Sequence, residues 1–320
     1  MSKASRGAKR RPDDGGESLE ERPAQVARVS SPCGSDPPLV PLALSALSTS
    51  NTNHVMEEIL QKLERIKEGR DTTSTVPQYL GLCLRTSARK GRVDIFLRLL
   101  QIEGMSMNVN NADVKGITAM MYACQVGCEE LVKIMLENHK FDPTLRDQND
   151  NGLLNFAVKN KNLHIVNLLL EDKRVSSIIN SCNKTGTSPL LLTCHDGDLE
   201  MAQKLLSVQN VDVNSADNTG DSPLLHAVTG GYHELVLKLL ENPKIEVNQP
   251  NLNGDTPLMC AANEGFSNIV ETLLERKDIE VNSANVDGYT SLMCASDKGH
   301  EKIVKSLLSH PAIDVNLQVR

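Results

Sequence analysis

The chain repeats itself about every 34 residues, and this period constrains its fold more than any other feature. A small residue lies in the middle of the first apolar run of each unit. These residues, spaced by 34, 36, 34, 34 and 34 positions, are Ala123, Ala157, Thr193, Ala227, Ala261 and Ala295. Seven residues earlier, five units have a glycine and the other has Asp150. A unit this short cannot bury its own apolar faces, so the copies must stack on one another.

The residues at the repeated positions predict two helices and one tight turn in every unit. An Asp or Asn stands three residues before the glycine, as Asn251 does before Gly254, and its side chain can bind the backbone of a hairpin-like turn. Three units continue with Ser-Pro or Thr-Pro, in which the hydroxyl caps a helix and proline occupies its first position. A second helix follows, with an Ile-Val-x-x-Leu-Leu stripe that is typical of a buried face.

These motifs carry a family resemblance. Residues 254–265, GDTPLMCAANEG, followed by Ile-Val at 269–270 and Leu-Leu at 273–274, resemble the ankyrin repeat. The resemblance covers residues 77–320 and implies an all-α ankyrin-repeat solenoid made of helix–turn–helix–hairpin units. The predicted units are 77–112, 113–146, 147–182, 183–216, 217–250, 251–284 and 285–320.

Two units depart from the pattern. Unit 77–112 has no Thr-Pro-Leu and is expected to be a degenerate cap at the N-terminal end of the array. Unit 147–182 has Asp150 in the glycine position and two extra residues near Ser176 and Ser177. We expect this insertion to distort the outgoing hairpin.

The first 76 residues lie outside the repeats. Residues 1–54 hold six of the 14 prolines and no aromatic residue, which predicts a disordered tail. Residues 55–69 have apolar positions at helical spacing, which predicts an amphipathic helix, and residues 70–76 are interpreted as a linker.

Two short motifs lie in the tail. The basic cluster Lys9, Arg10 and Arg11 is a candidate nuclear-import signal, or else a solvated charge run. Ser31, which precedes a proline, is a candidate phosphorylation site.

Composition and motifs argue against several classes of function. The net charge is −7, and the body has no clustered positive charge of the kind that direct nucleic-acid binding needs. No apolar stretch approaches the roughly 18 residues that a membrane-spanning helix needs, so no membrane insertion is expected. Phosphate-binding loops and the common zinc and hydrolase motifs do not occur, so we expect no enzyme, cofactor or metal site. The cysteines are interpreted as reduced core residues.

The family resemblance implies that protein partners bind the concave side, which is formed by hairpin tips and the ends of the first helices. We expect the tip residues to be exposed. Mapped onto this sequence, the candidate partner-binding residues are Lys115, Ile117, Asn151, Lys159, Thr187, His195, Asp196, Asp221, Asp255, Asn263, Glu264, Tyr289, Asp297 and Lys298. Acidic residues gather in the C-terminal half of this set, which indicates a basic or mixed-charge partner unless they are ordinary solvated acids.

Four asparagines resemble the hairpin asparagine that an oxygen-sensing asparaginyl hydroxylase modifies in many ankyrin proteins. Each has an acidic residue two positions before it and a leucine eight before it: Asn214, Asn248, Asn282 and Asn316. The alternative is that their side chains only stabilise the turn.

The sequence therefore predicts a non-catalytic scaffold or adaptor in the cytoplasm, the nucleus or both. The alternative is a nuclear transcriptional cofactor or inhibitor that is imported through its basic cluster.

Overall fold

The computed structural model describes residues 61, 65, 76–101 and 108–318. The predicted tail 1–54, its basic cluster and Ser31 lie outside these residues. Of the predicted amphipathic helix, only Gln61 and Arg65 are described, and both are helical and exposed. Of the predicted linker, only Val76 is described, and it is already the first residue of a helix.

The described part of the array consists of helix pairs joined by hairpins. We call the first helix of each pair an inner helix. The inner helices are α1 (Val76–Arg89), α3 (Ala119–Val126), α5 (Leu153–Lys159), α8 (Pro189–Asp196), α10 (Pro223–Thr229), α12 (Pro257–Glu264) and α14 (Ser291–Asp297). The outer helices are α2 (Val93–Leu100), α4 (Glu129–Glu137), α6 (Leu163–Glu171), α9 (Leu199–Leu206), α11 (His233–Leu240), α13 (Ser267–Leu274) and α15 (Glu301–Leu308). A short helix, α7 (Lys173–Ser176), follows α6.

Consecutive units stack in the same way along the described part of the array. Each inner helix packs against the next inner helix, each outer helix against the next outer helix, and the two helices of a pair against each other. The apolar stripe of α13 shows why, because Ile269, Val270 and Leu273 are all buried. In the described ranges there are no strands, and the hairpins contribute only two isolated bridges, Ala112 with Thr118 and Ala284 with Thr290. The all-α prediction is confirmed.

The predicted helix starts are confirmed in atomic detail. Ser188, Ser222 and Thr256 each accept a hydrogen bond from a backbone N–H three residues on, at 3.1, 3.2 and 3.3 Å respectively. Proline follows each of them at the first helical position. The buried hydroxyls are thus satisfied, and each inner helix begins at the same point of its unit.

The turn before each inner helix needs a left-handed backbone. Gly254 has a φ of +78°, and a Cβ added there would lie 3.0 Å from Asn285 Cα in the next hairpin. Asp150, which replaces the glycine in unit 147–182, adopts the same left-handed conformation with a φ of +60°. The unit keeps its turn at the expense of strain in a non-glycine residue.

The two extra residues of unit 147–182 are absorbed by α7. Asp172 caps this single turn by accepting a hydrogen bond from Arg174 N at 2.8 Å. Arg174 also donates to the carbonyl oxygen of Leu136 in the preceding unit, at 2.6 Å. The next turn is regular, because Asn183 Oδ1 accepts from the N–H groups of Thr185 and Thr187, both at 3.0 Å. The insertion is therefore confined to the segment before the hairpin, and the expected hairpin distortion is wrong.

Within the described ranges, no helix is both long and apolar enough to cross a membrane.

Candidate partner-binding surface

A pocket of about 410 Å³ opens between the hairpins and inner helices of the last three units. Five of the predicted partner-binding residues line it: Asp221, Asp255, Asn263, Glu264 and Tyr289. We call it the acidic pocket. The repeat explains this convergence, because these residues occupy equivalent positions in units that stack directly on one another.

Hydrogen bonds between hairpins hold two of its carboxylates in place. Asn251 Oδ1 accepts from the backbone N–H of Asp255 at 3.0 Å, while its Nδ2 donates to Asp221 Oδ1 at 2.9 Å. Asn285 Nδ2 donates in the same way to Asp255 Oδ1 at 2.7 Å. Asp221 and Asp255 are therefore half-buried and fixed by the following unit. Our expectation of fully exposed tips is wrong for these two residues.

The charge of the pocket is negative. Asp221, Asp255 and Glu264 contribute carboxylates, and no described Lys, Arg or His lines the pocket. The two cysteines in its wall add no charge. Burial, reinforced by the carboxylates of Asp255 and Asp221, raises the pKa of Cys260 to about 12. Burial also raises the pKa of Cys294, so both thiols are protonated at neutral pH.

Apolar side chains lie beside these acids. Tyr289, in the last described hairpin, is 39% exposed. Leu252 and Val286 at the tips of adjacent hairpins are 74% and 72% exposed. The two tips are joined by the backbone hydrogen bond from Val286 N to Asn253 O, at 3.0 Å. Asp255 and Leu252 thus share one hairpin, and Tyr289 and Val286 share the next. Exposed aromatic residues such as Tyr289 are enriched at protein interfaces.

The remaining predicted binding residues do not join this pocket. Lys115 and Lys159 are exposed, whereas Ile117 and Thr187 are half-buried in their own hairpins. Asn151 has a structural contact, because its Oδ1 accepts from Asn183 Nδ2 at 3.0 Å. At the other end of the array, Asp297 and Lys298 are exposed at the end of α14.

His195 belongs to a second cluster, together with His226 and Asp217. The two histidine rings meet edge to face with centroids 5.5 Å apart, and His195 Nδ1 lies 3.0 Å from Asp196 Oδ1. His226 Nε2 lies 3.0 Å from Asp217 Oδ2. The histidine pair was not predicted from the sequence, because the two residues have different positions within their units and meet only when the units stack.

Ligand atoms of Asp217, Asp221 and His226 lie within 4.8 Å of one another, which is compatible with a divalent cation. The same contact has a structural explanation, however. At the equivalent position of unit 113–146, Tyr122 Oη donates to Asp113 Oδ2 at 2.7 Å. Burial raises the pKa of Asp217, but hydrogen bonds from Thr219 and His226 outweigh it, so the net pKa is below the usual value. We assign His226 to turn stabilisation.

The candidate hydroxylation sites form a ladder along the array. Asn248 Nδ2 donates to Asp278 O at 2.6 Å, and its Oδ1 accepts from Glu280 N at 2.9 Å. Asn214 and Asn282 make the equivalent pair of bonds to the next unit. Asn316 is exposed and lies at the end of the described ranges.

Two further asparagines belong to this ladder and were not predicted from the sequence. Asn180 Nδ2 donates to Asn210 O at 2.7 Å, and Asn110 Nδ2 donates to Lys140 O, also at 2.7 Å. Neither has the leucine and acidic residue that marked the other four. A spacing of 34 residues between Asn180 and Asn214 was the signal that could have identified the first of them.

Comparisons with known proteins agree with this architecture. The family model described as ankyrin repeats (3 copies) matches residues 46–147, 84–180, 154–251 and 244–319. The crystal structure of the ankyrin repeat domain of Bcl-3, described as a unique member of the IkappaB protein family, superposes with a TM-score of 0.63. The two chains are 20% identical over 70% of this chain and 96% of that one. The overlapping family matches extend over most of the sequence, and the chain belongs to the ankyrin-repeat family.

Proposed function

We propose that this protein is a non-catalytic scaffold or adaptor that binds a partner protein between its hairpin tips and inner helices. The observation that carries the proposal is the acidic pocket, which is lined by residues of three consecutive units. The ankyrin-repeat fold is a non-enzymatic interaction module.

The arrangement of the pocket favours binding without rearrangement. Inter-hairpin bonds already hold Asp221 and Asp255, so their ordering does not oppose association. The exposed Tyr289 is the type of residue that supplies a large share of the binding free energy at protein interfaces. A partner segment lying along several units would contact all of these groups at once.

Proximity labelling in cells with the full chain tests the proposal. We call the surface between the hairpin tips and the inner helices, where the acidic pocket opens, the groove. The groove variant combines Glu264→Lys with Tyr289→Ala, because both residues are exposed and neither side chain bonds to a neighbouring unit. The control variant combines Glu275→Lys with Leu237→Ala, which are exposed on the outer-helix side. We expect a small set of partners to be lost from the groove variant and kept by the control. If both variants keep the wild-type set, the partner does not bind in this groove.

A second proposal is a nuclear role as a transcriptional cofactor or inhibitor. It is supported by the cluster Lys9, Arg10 and Arg11, and it is compatible with the fold shared with a Bcl-3 domain. A fluorescent fusion with all three residues changed to alanine should lose its nuclear signal. A nuclear signal that persists in this variant would show that Lys9, Arg10 and Arg11 are not needed for import.

We also propose that Asn214, Asn248, Asn282 and Asn316 are substrates of an asparaginyl hydroxylase. Support comes from their sequence context, in which each asparagine has an acidic residue two positions before it and a leucine eight before it. Peptides from cells grown with full oxygen should carry one added oxygen on these residues. If all four are unmodified, the ladder has a structural role alone.

A further inference from the structure

We infer that the acidic pocket binds an arginine side chain from an extended segment of the partner, with an apolar residue of the same segment lying on the neighbouring tips. This inference rests on the proposed function, because it specifies the chemistry of a partner that the groove would bind.

The charge of the pocket favours a cationic side chain. Three carboxylates surround a pocket of about 410 Å³, and no described cationic side chain lines it. Two of these carboxylates, Asp221 and Asp255, are half-buried, so water screens them less than it screens surface acids. A cation from the partner is the group that such a site complements. The volume lies within the range of ordinary ligand pockets, so a long side chain fits.

Two carboxylates of the pocket each keep one oxygen that accepts no hydrogen bond from the described residues. Asp255 uses Oδ1 to accept from Asn285, and Glu264 uses Oε1 to accept from Asn263. Of the described residues, none donates to Asp255 Oδ2 or to Glu264 Oε2. One oxygen belongs to a hairpin and the other to the end of α12, so the acceptors approach the pocket from two elements.

This pattern favours arginine over lysine. A guanidinium has five N–H donors in a flat, rigid fork that can reach two separate carboxylates, whereas an ammonium acts as a point charge. The guanidinium also stacks on aromatic faces, and the exposed ring of Tyr289 borders the pocket.

An exposed apolar side chain directly follows each of the two asparagines in the pocket wall, Asn251 and Asn285. Leu252 and Val286 are exposed on adjacent hairpins that a backbone hydrogen bond holds together. In an extended peptide, side chains two residues apart point to the same side. A segment with arginine at one position and an apolar side chain two residues away would therefore use both features.

The test is a positional-scanning library of acetylated, amidated octapeptides binding to the full chain. We expect arginine to be selected at one position, above lysine, with an apolar residue two positions away. Replacing that arginine with citrulline, which keeps the shape and loses the charge, should weaken binding about tenfold or more. Affinity should fall to a similar degree for the Asp255→Asn and Glu264→Gln variants.

Asp287→Asn and Glu275→Gln are the control variants, since both residues are exposed acids that do not line the pocket. They should bind the selected peptide within about twofold of wild type. Asp255→Asn leaves an oxygen that can still accept from Asn285, so the variant is expected to fold, and circular dichroism during thermal unfolding checks this.

The outcomes separate this inference from the function on which it rests. If selected peptides lack a basic residue but lose affinity in Tyr289→Ala, the groove binds proteins and the arginine inference is wrong. Equal binding of the arginine and citrulline peptides also overturns it. If no octapeptide binds at millimolar concentration, the inference fails. If, in addition, the groove variant keeps every cellular partner, the proposed function fails as well.

Discussion

Replacing Asn248 by alanine should loosen the contact between units 217–250 and 251–284. The substitution removes two hydrogen bonds to the next hairpin, one to Asp278 O at 2.6 Å and one from Glu280 N at 2.9 Å. Each such bond contributes about 0.5–1.5 kcal/mol net. Since Asp278 and Glu280 are exposed and water can replace the lost partner, we expect a value near the lower end, about 1–2 kcal/mol in total.

Hydrogen exchange of the full chain, followed by mass spectrometry, measures this locally. Local exchange suits a repeat array, in which neighbouring units need not unfold together. The hairpin that contains the Glu280 amide should exchange about tenfold faster in the variant, the ratio that corresponds to roughly 1.4 kcal/mol.

Asn316→Ala is the matched control. Asn316 occupies the equivalent position in unit 285–320, and its exposed side chain makes no hydrogen bond with the described residues. We expect exchange at its hairpin to change by less than about twofold. Equal effects of the two substitutions would refute the idea that the asparagine ladder holds the hairpins together.

The remaining predictions concern the turns, acid stability and the thiols. Asp150→Gly should stabilise unit 147–182 by about 0.5–1 kcal/mol and slow hydrogen exchange at its first hairpin by about two- to fivefold, because glycine adopts the φ of +60° without strain; faster exchange would contradict this. The hydrogen bond from Arg174 lowers the pKa of the Asp172 carboxyl in the folded chain. The ionised carboxylate therefore stabilises the fold above the unfolded pKa of about 3.9, and this stabilisation is lost as the pH falls through the lower pKa of the folded state. Asp172→Asn should accordingly flatten the fall in melting temperature on acidification, and an unchanged pH profile would refute the assignment. Burial raises the pKa of Cys124 and Cys194, so iodoacetamide at pH 7.5 should leave both unmodified in the folded chain, and rapid labelling of either would show that its unit opens.

Much of the fold follows from local sequence. Ser222 and Pro223 define where α10 begins, and Gly254 defines where the next turn reverses, because capping and left-handed backbone depend on a few adjacent residues. In unit 147–182 the repeat pattern predicts the same turn although Asp150 replaces the glycine, and Asp150 does adopt the left-handed conformation.

Contacts between units were harder to predict. The repeat pattern places Asp221 directly after the turn glycine, but its bond to Asn251 depends on how one hairpin stacks on the next. The pairing of His195 with His226 has the same origin. Asn180 was missed because the insertion near Ser176 displaces the leucine that marked the other ladder positions.

We propose that a partner binds between the hairpin tips and the inner helices. Isothermal titration of the full chain with a partner recovered by proximity labelling tests it most directly. Glu264→Lys with Tyr289→Ala should weaken binding by about tenfold or more, whereas Glu275→Lys with Leu237→Ala should change it by less than about twofold. If the substitutions on the outer helices weaken binding and those in the groove do not, the partner binds the outer helices and the proposal is wrong.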